Sequence, residues 1–453
     1  MNVVVVGCGK VGLTLADHLN RENHNITIID QNDKALRHAV ESLDVLGISG
    51  NGAMLRVQQE AGIKDADVLI AATDSDEINM LCCLIAKKEA NCSTIARIRD
   101  PQYSEELNYL RDELNLAMVI NPEMAAAREI ERLLRFPSAM KIDSFSGGQL
   151  ELIRLRVPET SPICGKTLAE LAREEKFNAL ICVIEHGEEV LIPSGNDMIH
   201  PGDVISFISK PNEVFQFFQQ CGIHYTPVRS CMIVGGGRVT YYIAKYVQEM
   251  KLKIKLKILD VDMERCDFLA EEFPDATIIN ADGTDQEILK KEGIMNTDAF
   301  CSLTGFDEEN IMLSLYASKL SDTRLITKIN RIAFENVIAD MNLGSVIYPR
   351  QIVADYIVQH VRALENSQGS NVETLYKIAD GKAEALEFRV HDDAAFTGKT
   401  LTELTFKKNV LVAAIIRDHR IITPRGSDCM KPGDRVIIVT TNAGFHDLKD
   451  ILK

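Results

Sequence analysis

Two stretches about 230 residues apart carry the same short series of residues in the same order, and this repetition constrains the fold more than any other feature. Gly7-Cys8-Gly9-Lys10-Val11 returns as Gly235-Gly236-Gly237-Arg238-Val239, and Asp30 returns as Asp260. Asn51-Gly52 meets Asp282-Gly283, and Ala61-Gly62-Ile63 meets Glu292-Gly293-Ile294. Thr73 through Asn79 meets Thr304 through Asn310, and Asn121-Pro122 meets Tyr348-Pro349. Further on, Gly165-Lys166-Thr167-Leu168 recurs as Gly398-Lys399-Thr400-Leu401, and Pro201-Gly202-Asp203 as Pro432-Gly433-Asp434. A near-constant offset over most of a 453-residue chain is duplication.

Each copy has two parts. Residues 1–137 and 230–365 alternate β-branched runs with helical patterns, which predicts an α/β fold: two tandem Rossmann-like, doubly wound parallel sheets. In the first copy the expected strands are Asn2–Val6, Asn25–Ile29, Leu43–Gly47, Val68–Ala72, Thr94–Arg97 and Met118–Ile120. Asn121-Pro122-Glu123 reads as a helix start, and Phe136-Pro137 ends that helix. Residues 138–222 and 366–453 combine short strands, Gly/Pro turns and one helix after Gly-Lys-Thr-Leu, the pattern of a small α+β domain. The segments 144–148 and 366–371 read as polar, flexible joints. Lys251, Lys253, Lys255 and Lys257 alternate with apolar residues, a strand with one solvated basic face.

The formal charge of −16 argues against a nucleic-acid binder and against a polybasic membrane anchor. No apolar run approaches the ~18 residues of a spanning helix, and the N-terminus lacks the basic region and cleavage site of a signal peptide. The eleven cysteines are scattered, which fits reduced thiols in the cytoplasm better than a disulfide framework.

The first repeat carries the dinucleotide fingerprint in its required context. Gly7, Gly9 and Gly12 lie between a strand and a helix, and Asp30 ends the next strand, roughly twenty residues on. Gly7 permits the tight turn, Gly9 lets backbone approach a pyrophosphate, and Gly12 lets helix and strand pack closely. The helix start at Lys10 and Val11 offers free N–H groups to the anion. Asp30 would accept from ribose hydroxyls and repel a 2′-phosphate, so NAD(H) or an adenine nucleotide fits better than NADP. The second repeat keeps Gly235, Gly237 and Asp260 but has Thr240 in place of the third glycine, which adds bulk where helix and sheet pack closest. Asn51 and Asp282 follow the third strands, and Thr73, Asp74 and Thr304 follow the fourth, at the switch point where ligands sit. Arg97 ends the fifth strand, where it could pair with a phosphate or form a surface ion pair; Lys328 is its counterpart.

A dehydrogenase would also need a proton-transfer group against the nicotinamide. The histidines, among them His18, His38, His186 and His360, form no cluster in the sequence, and no zinc spacing or Cys-x-x-Cys occurs. Cys82-Cys83 lie in an apolar helix and read as core. Gly-Lys-Thr at 165–167 and 398–400 lacks the upstream loop of a phosphate cradle and reads as a cap. A duplicated binder without catalytic groups reads as a sensor, in which couplings of roughly 1–3 kcal/mol suffice for control.

These residues carry a family resemblance. Val4 through Gly12 with Asp30, Asn51-Gly52, Ala66-Asp67, Thr73 through Asn79 and Ala96 through Arg99, followed by the Gly-Lys-Thr-Leu and Pro-Gly-Asp motifs and all repeated, resemble TrkA-type potassium uptake proteins. The resemblance runs end to end. It implies two regulator-of-potassium-conductance (RCK) modules in a cytoplasmic regulatory subunit, peripheral on the inner face of the membrane. It further implies a TrkH/TrkG-like membrane potassium transporter as partner, assembly into a homo-oligomeric ring, and NAD(H) with ATP or ADP as ligands that change ring shape. By that resemblance Gly7 to Val11, Asp30, Thr73, Asp74 and Arg97 bind the first nucleotide, and Gly235 to Val239 with Asp260 bind the second. Two other readings stay open: an NAD-dependent oxidoreductase, and a ligand-sensing regulator of a different ion transporter.

Overall fold

The computed structural model describes the chain except residues 105, 137–140, 146–148, 174–178, 188, 211–212, 224–226, 332–337, 339–340, 368–371, 380, 392–397, 419, 443 and 446. The first sheet grows from its most apolar strand. β1 (Asn2–Val6) is a run of valines buried on both sides, as a central parallel strand requires. Around it lie β2 (Asn25–Asp30), β3 (Leu46–Ser49), β4 (Val68–Ala71), β5 (Ser93–Arg97) and β6 (Met118–Ile120), all parallel, in the order β3-β2-β1-β4-β5-β6. The crossover helices Lys10–Arg21, Asp33–Ser42 and Asp76–Glu89 bury their apolar stripes on this sheet.

The chain then forms an antiparallel sheet of β7 (Lys141–Phe145), β8 (Leu150–Arg156), β9 (Leu180–His186), β10 (Glu189–Leu191) and β11 (Val204–Ser209), in the order β10-β9-β11-β8-β7. The second copy repeats both patterns. Its parallel sheet has β12 (Ser230–Val234), β13 (Lys255–Asp260), β14 (Thr277–Asn280), β15 (Ala299–Ser302), β16 (Arg324–Lys328) and β17 (Ser345–Ile347), in the order β14-β13-β12-β15-β16-β17. Its antiparallel sheet has β18 (Val372–Ile378), β19 (Ala383–Arg389), β20 (Val410–Arg417), β21 (Arg420–Ile422) and β22 (Arg435–Thr440), with the same topology.

Like parts associate. One compact unit comprises Met1–Glu131 and Val228–Val358, the two parallel sheets with their helices; the other comprises Arg132–Pro227 and Gln359–Lys453. In the second unit the antiparallel sheets share a core that includes Phe145, Leu152 and Val183 with Ala385, Ile416 and Val439. In the first, helix Arg238–Glu249 is buried along most of its surface, Tyr241, Tyr242 and Tyr246 included. Helix Lys10–Arg21 buries only one stripe.

Four local expectations are corrected. β3 begins at Leu46, because Leu43 is still the C-cap of the preceding helix and donates to Ala39. The basic strand begins only at Lys255: Lys251 is left-handed (φ 52°) in the turn that ends the helix. Ser144 and Phe145, read as part of a joint, belong to β7, and Asn366 and Ser367 to helix Pro349–Ser367; residues 146–148 and 368–371 lie outside the described residues. The helix after Gly165-Lys-Thr is present as Leu168–Arg173, but its counterpart is a 3-10 turn, Leu401–Glu403. The first is made of strong helix formers, whereas Thr402 and Thr405 are β-branched and Phe406 leaves to pair with Leu452.

Candidate functional site

The expected residues of the first copy converge on the C-terminal edge of its sheet, where strand order reverses between β1 and β4. Gly7 takes φ 104°, and a side chain there would lie 2.9 Å from the backbone of Ala72 and Thr73. Gly12 is tighter: its Cβ would lie 1.9 Å from the Gly7 carbonyl oxygen. Gly9 faces open space and is the N-cap of helix Lys10–Arg21, with no side chain capping that helix start. Lys10 is exposed, while Cys8 and Val11 are buried. The loop is tied to its neighbour by Asp30, whose Oδ2 accepts from the Cys8 amide and Oδ1 from the Asn32 amide at 2.7 Å. A carboxylate has four lone-pair sites, so these bonds leave room for ribose hydroxyls.

The far rim is built around a residue not singled out as a site in the sequence, Asn79, which is fully buried in helix Asp76–Glu89. Its Oδ1 accepts from the Thr73 amide (2.8 Å) and hydroxyl (2.7 Å), and its Nδ2 donates to the carbonyls of Thr73 and Arg97. One side chain thus fastens the ends of β4 and β5 together. Asp76, one turn earlier, accepts from the Arg99 and Asp100 amides, both at 2.8 Å. Arg97 is buried, and burial with the neighbouring Arg99 pushes its guanidinium pKa down, against the pull of Glu123, Asp74 and Asp76. Its Nη1 reaches the Thr73 carbonyl at 3.4 Å and lies 3.8 Å from the exposed carboxylate of Asp74. Its Nε is buried without a hydrogen-bond partner. Asn51 turns inward on its own loop and accepts from the Ala53 amide at 2.9 Å; the following Gly52 is forced, since a Cβ would meet Val6 at 2.2 Å.

The second copy reproduces this frame. Gly235 has φ 103°, the Gly236 amide donates to Asp260, and Gly237 caps helix Arg238–Glu249 without a side-chain bond. Val239 is buried and Arg238 exposed. Asn310 repeats Asn79, accepting from the Thr304 amide and donating to the carbonyls of Thr304 and Lys328. Asp282 accepts from the Thr284 amide and hydroxyl, and those bonds hold its carboxyl below the usual range. Lys328 is half-buried, desolvation lowers its ammonium pKa, and it donates to the Leu303 carbonyl at 2.9 Å.

Two features set this copy apart. Thr240 is accommodated because its hydroxyl donates to the Gly235 carbonyl, the counterpart of the Gly7 carbonyl with which a Cβ on Gly12 would collide. Arg265, where the first copy has Ala35, donates to the carbonyls of Gly236 and Gly237 and stacks on Phe268. The two copies also meet beside the cradles. Tyr242, in the helix that starts at Gly237, accepts from Asn121 (3.0 Å) and donates to the Arg99 carbonyl (3.2 Å) beside the first site. Reciprocally, Thr14 of the first copy shares a cleft of about 270 Å³ with Asn330, Arg331, Tyr348 and Arg350 of the second.

The Thr167–Glu170 and Thr400–Glu403 pairs are reciprocal caps, consistent with the reading of Gly-Lys-Thr as a cap. One histidine expectation fails: His186 and His200, distant in sequence, meet at Asp203.

Comparison with known proteins places this architecture. The TrkA-N domain model matches residues 3–122 and 231–349, and the TrkA-C domain model matches 152–222 and 385–453. The chain belongs to the TrkA family. The Trk system potassium uptake protein TrkA homolog of Archaeoglobus fulgidus is 31% identical to it over 454 residues, covering 100% of both chains. TrkA of Haemophilus influenzae is 29% identical over 448 residues, covering 97% of this chain and 95% of its own. Among solved structures, the GsuK channel bound to NAD superposes with a TM-score of 0.63 at 18% identity, over 97% of this chain and 77% of that one. The GsuK RCK domain gives 0.62 at 19% identity, over 97% and 92%. At that identity the likeness is one of fold: tandem RCK modules, each a TrkA-N sheet followed by a TrkA-C sheet. Among the described residues no helix is long and apolar enough to cross a membrane.

Proposed function

We propose that this TrkA-family chain is a nucleotide-binding regulatory subunit that gates a Trk-type membrane potassium transporter from the cytoplasmic face, and that it is not an enzyme. The observation that carries the reading is the first cradle. An uncapped helix start, a glycine loop in which Gly7 and Gly12 leave no space for a side chain, the Asp30 carboxylate and the buried Arg97 guanidinium share one sheet edge. This arrangement fits a ligand with a pyrophosphate between two riboses or beside one: NAD(H), ATP or ADP. The helix N–H groups would take the phosphates, Asp30 the ribose hydroxyls, and Arg97 the remaining anionic charge. The second cradle would bind as well, with Arg265 adding a cation that the first lacks.

Regulation follows from the contact between the copies beside the cradles. A nucleotide that draws on the first turn of helix Arg238–Glu249 acts on the element that carries Tyr242, which holds the Arg99 carbonyl at the first site. Two sites joined through one packed helix share a coupling free energy, typically about 1–3 kcal/mol. In a ring of such chains docked on a membrane subunit, that coupling would bias the pore.

Calorimetric titration of the full chain with NAD, NADH, ATP and ADP tests the binding. Asp30→Ala is expected to cost about 1.5–3 kcal/mol of affinity at the first site, the range for hydrogen bonds to a charged group. Unchanged affinity would remove the site assignment, and steady consumption of NADH with a small carbonyl substrate would favour an oxidoreductase instead.

A further inference from the structure

The two Pro-Gly-Asp turns adopt the same backbone, with Gly202 at φ 82° and Gly433 at φ 85°, and each buries its aspartate to 1% exposure. The two carboxylates are satisfied differently. In the second copy Arg417, at the end of β20, grips Asp434 with Nε at 2.8 Å and Nη2 at 2.7 Å, and the Lys431 amide completes the set. In the first copy the position of Arg417 is taken by His186, at the end of β9, and that of Lys431 by His200. His186 Nδ1 lies 2.7 Å from Asp203 Oδ1, His200 Nδ1 lies 3.7 Å from Oδ2, and the His200 amide donates to Oδ2. The nearby Arg156 donates to the Gly202 carbonyl.

We infer that His186, His200 and Asp203 form a binding site for a late first-row divalent cation, with Zn²⁺ as the natural probe. One ligand atom from each residue lies within 4.8 Å of the others. Two imidazoles and one carboxylate make a nitrogen-rich set that suits Zn²⁺, Co²⁺ or Ni²⁺ over Mg²⁺ or Ca²⁺. The two imidazole side chains are 60% and 54% exposed, so an ion can enter from solvent. The repeat supplies the second argument. A guanidinium is always charged, whereas an imidazole is charged only when protonated. A cation bound by both imidazoles gives the buried Asp203 the charge that Arg417 gives Asp434. It also ties the end of β9 to the turn before β11, as Arg417 ties β20 to the turn before β22.

The test uses the full chain stripped with EDTA and then titrated with Zn²⁺, followed by calorimetry and by thermal unfolding, with Co²⁺ absorption as an independent readout. Wild type is expected to bind one ion at this site, to unfold at higher temperature with Zn²⁺ present, and to give a visible Co²⁺ spectrum of nitrogen–oxygen ligation. His186→Arg copies the pair of the second copy, so it should unfold like wild type in EDTA yet lose the Zn²⁺-induced shift. His200→Ala should weaken binding by roughly tenfold or more. Cys164→Ser, altering a half-buried thiol close enough to feel Asp203, should bind like wild type. Equal Zn²⁺ responses in wild type, His186→Arg and His200→Ala would place the ion elsewhere and overturn the site. Absence of any response in wild type would overturn it too.

Discussion

At Thr240 a single residue shows how a rule of the fold can be broken and compensated. Its counterpart Gly12 has no space for a Cβ, yet the second copy places a larger side chain there and turns the collision into a hydrogen bond with the Gly235 carbonyl. Thr240→Val keeps the volume and deletes the donor, so it should lower stability by about 1–3 kcal/mol, the cost of a buried unsatisfied carbonyl. Denaturant unfolding measures this, and an unchanged midpoint would show that the bond contributes nothing. The cysteines give a second residue-scale expectation. Burial pushes the thiols of Cys82, Cys182 and Cys221 up to about 12, and only Cys164 and Cys429 are not buried. Because the thiolate is the reactive form, a thiol reagent at neutral pH should label those two in the native protein and all eleven after denaturation. Rapid native labelling of Cys82 would contradict the packing. The glycines and aspartates of the cradles were legible in the sequence because backbone geometry dictates them. Asn79 and Asp76 were not singled out, because their partners are main-chain groups of strand ends that only the fold brings near. His186 and His200 escaped because only the pairing of β9 with β11 brings His186 to the Asp203 carboxylate.

Among the elements, the parallel strands were the most legible, since a short β-branched run such as Val3–Val6 stopped by a glycine reads as a strand buried on both faces. Boundaries were less so where a helix cap competes with a strand start, as at Leu43, or where a left-handed residue interrupts an alternating run, as at Lys251. What fixes the working geometry of the strand ends is the side chain that joins them. Asn79 does this for β4 and β5, and Asn310 for β15 and β16. Asn79→Ala removes both donors and the acceptor, leaving the Thr73 amide to find another partner. It is expected to cost about 1–3 kcal/mol of stability and to weaken nucleotide binding at the first site more than at the second. Asn310→Ala should show the reverse preference. Equal effects of both variants on both sites would mean that these asparagines act on the fold as a whole and not on their own cradles.

For the whole molecule, the duplication was plain in the sequence but the association of like with like was not. The chain alternates TrkA-N and TrkA-C parts, and which parts pair is decided by faces: the tyrosine-rich side of helix Arg238–Glu249 and the apolar faces of the two antiparallel sheets. This pairing brings a helix of the second copy against the end of the first copy's sheet, through Tyr242, Asn121 and the Arg99 carbonyl. The direct measurement is potassium flux into vesicles that contain the proposed Trk-type membrane partner, with the chain added outside together with NAD, NADH, ATP or ADP. At least one nucleotide is predicted to change the flux when the wild-type chain is present, and Asp30→Ala is predicted to shift that change to higher nucleotide concentration while still binding the membrane subunit. Flux that ignores both the chain and its nucleotides would contradict the account.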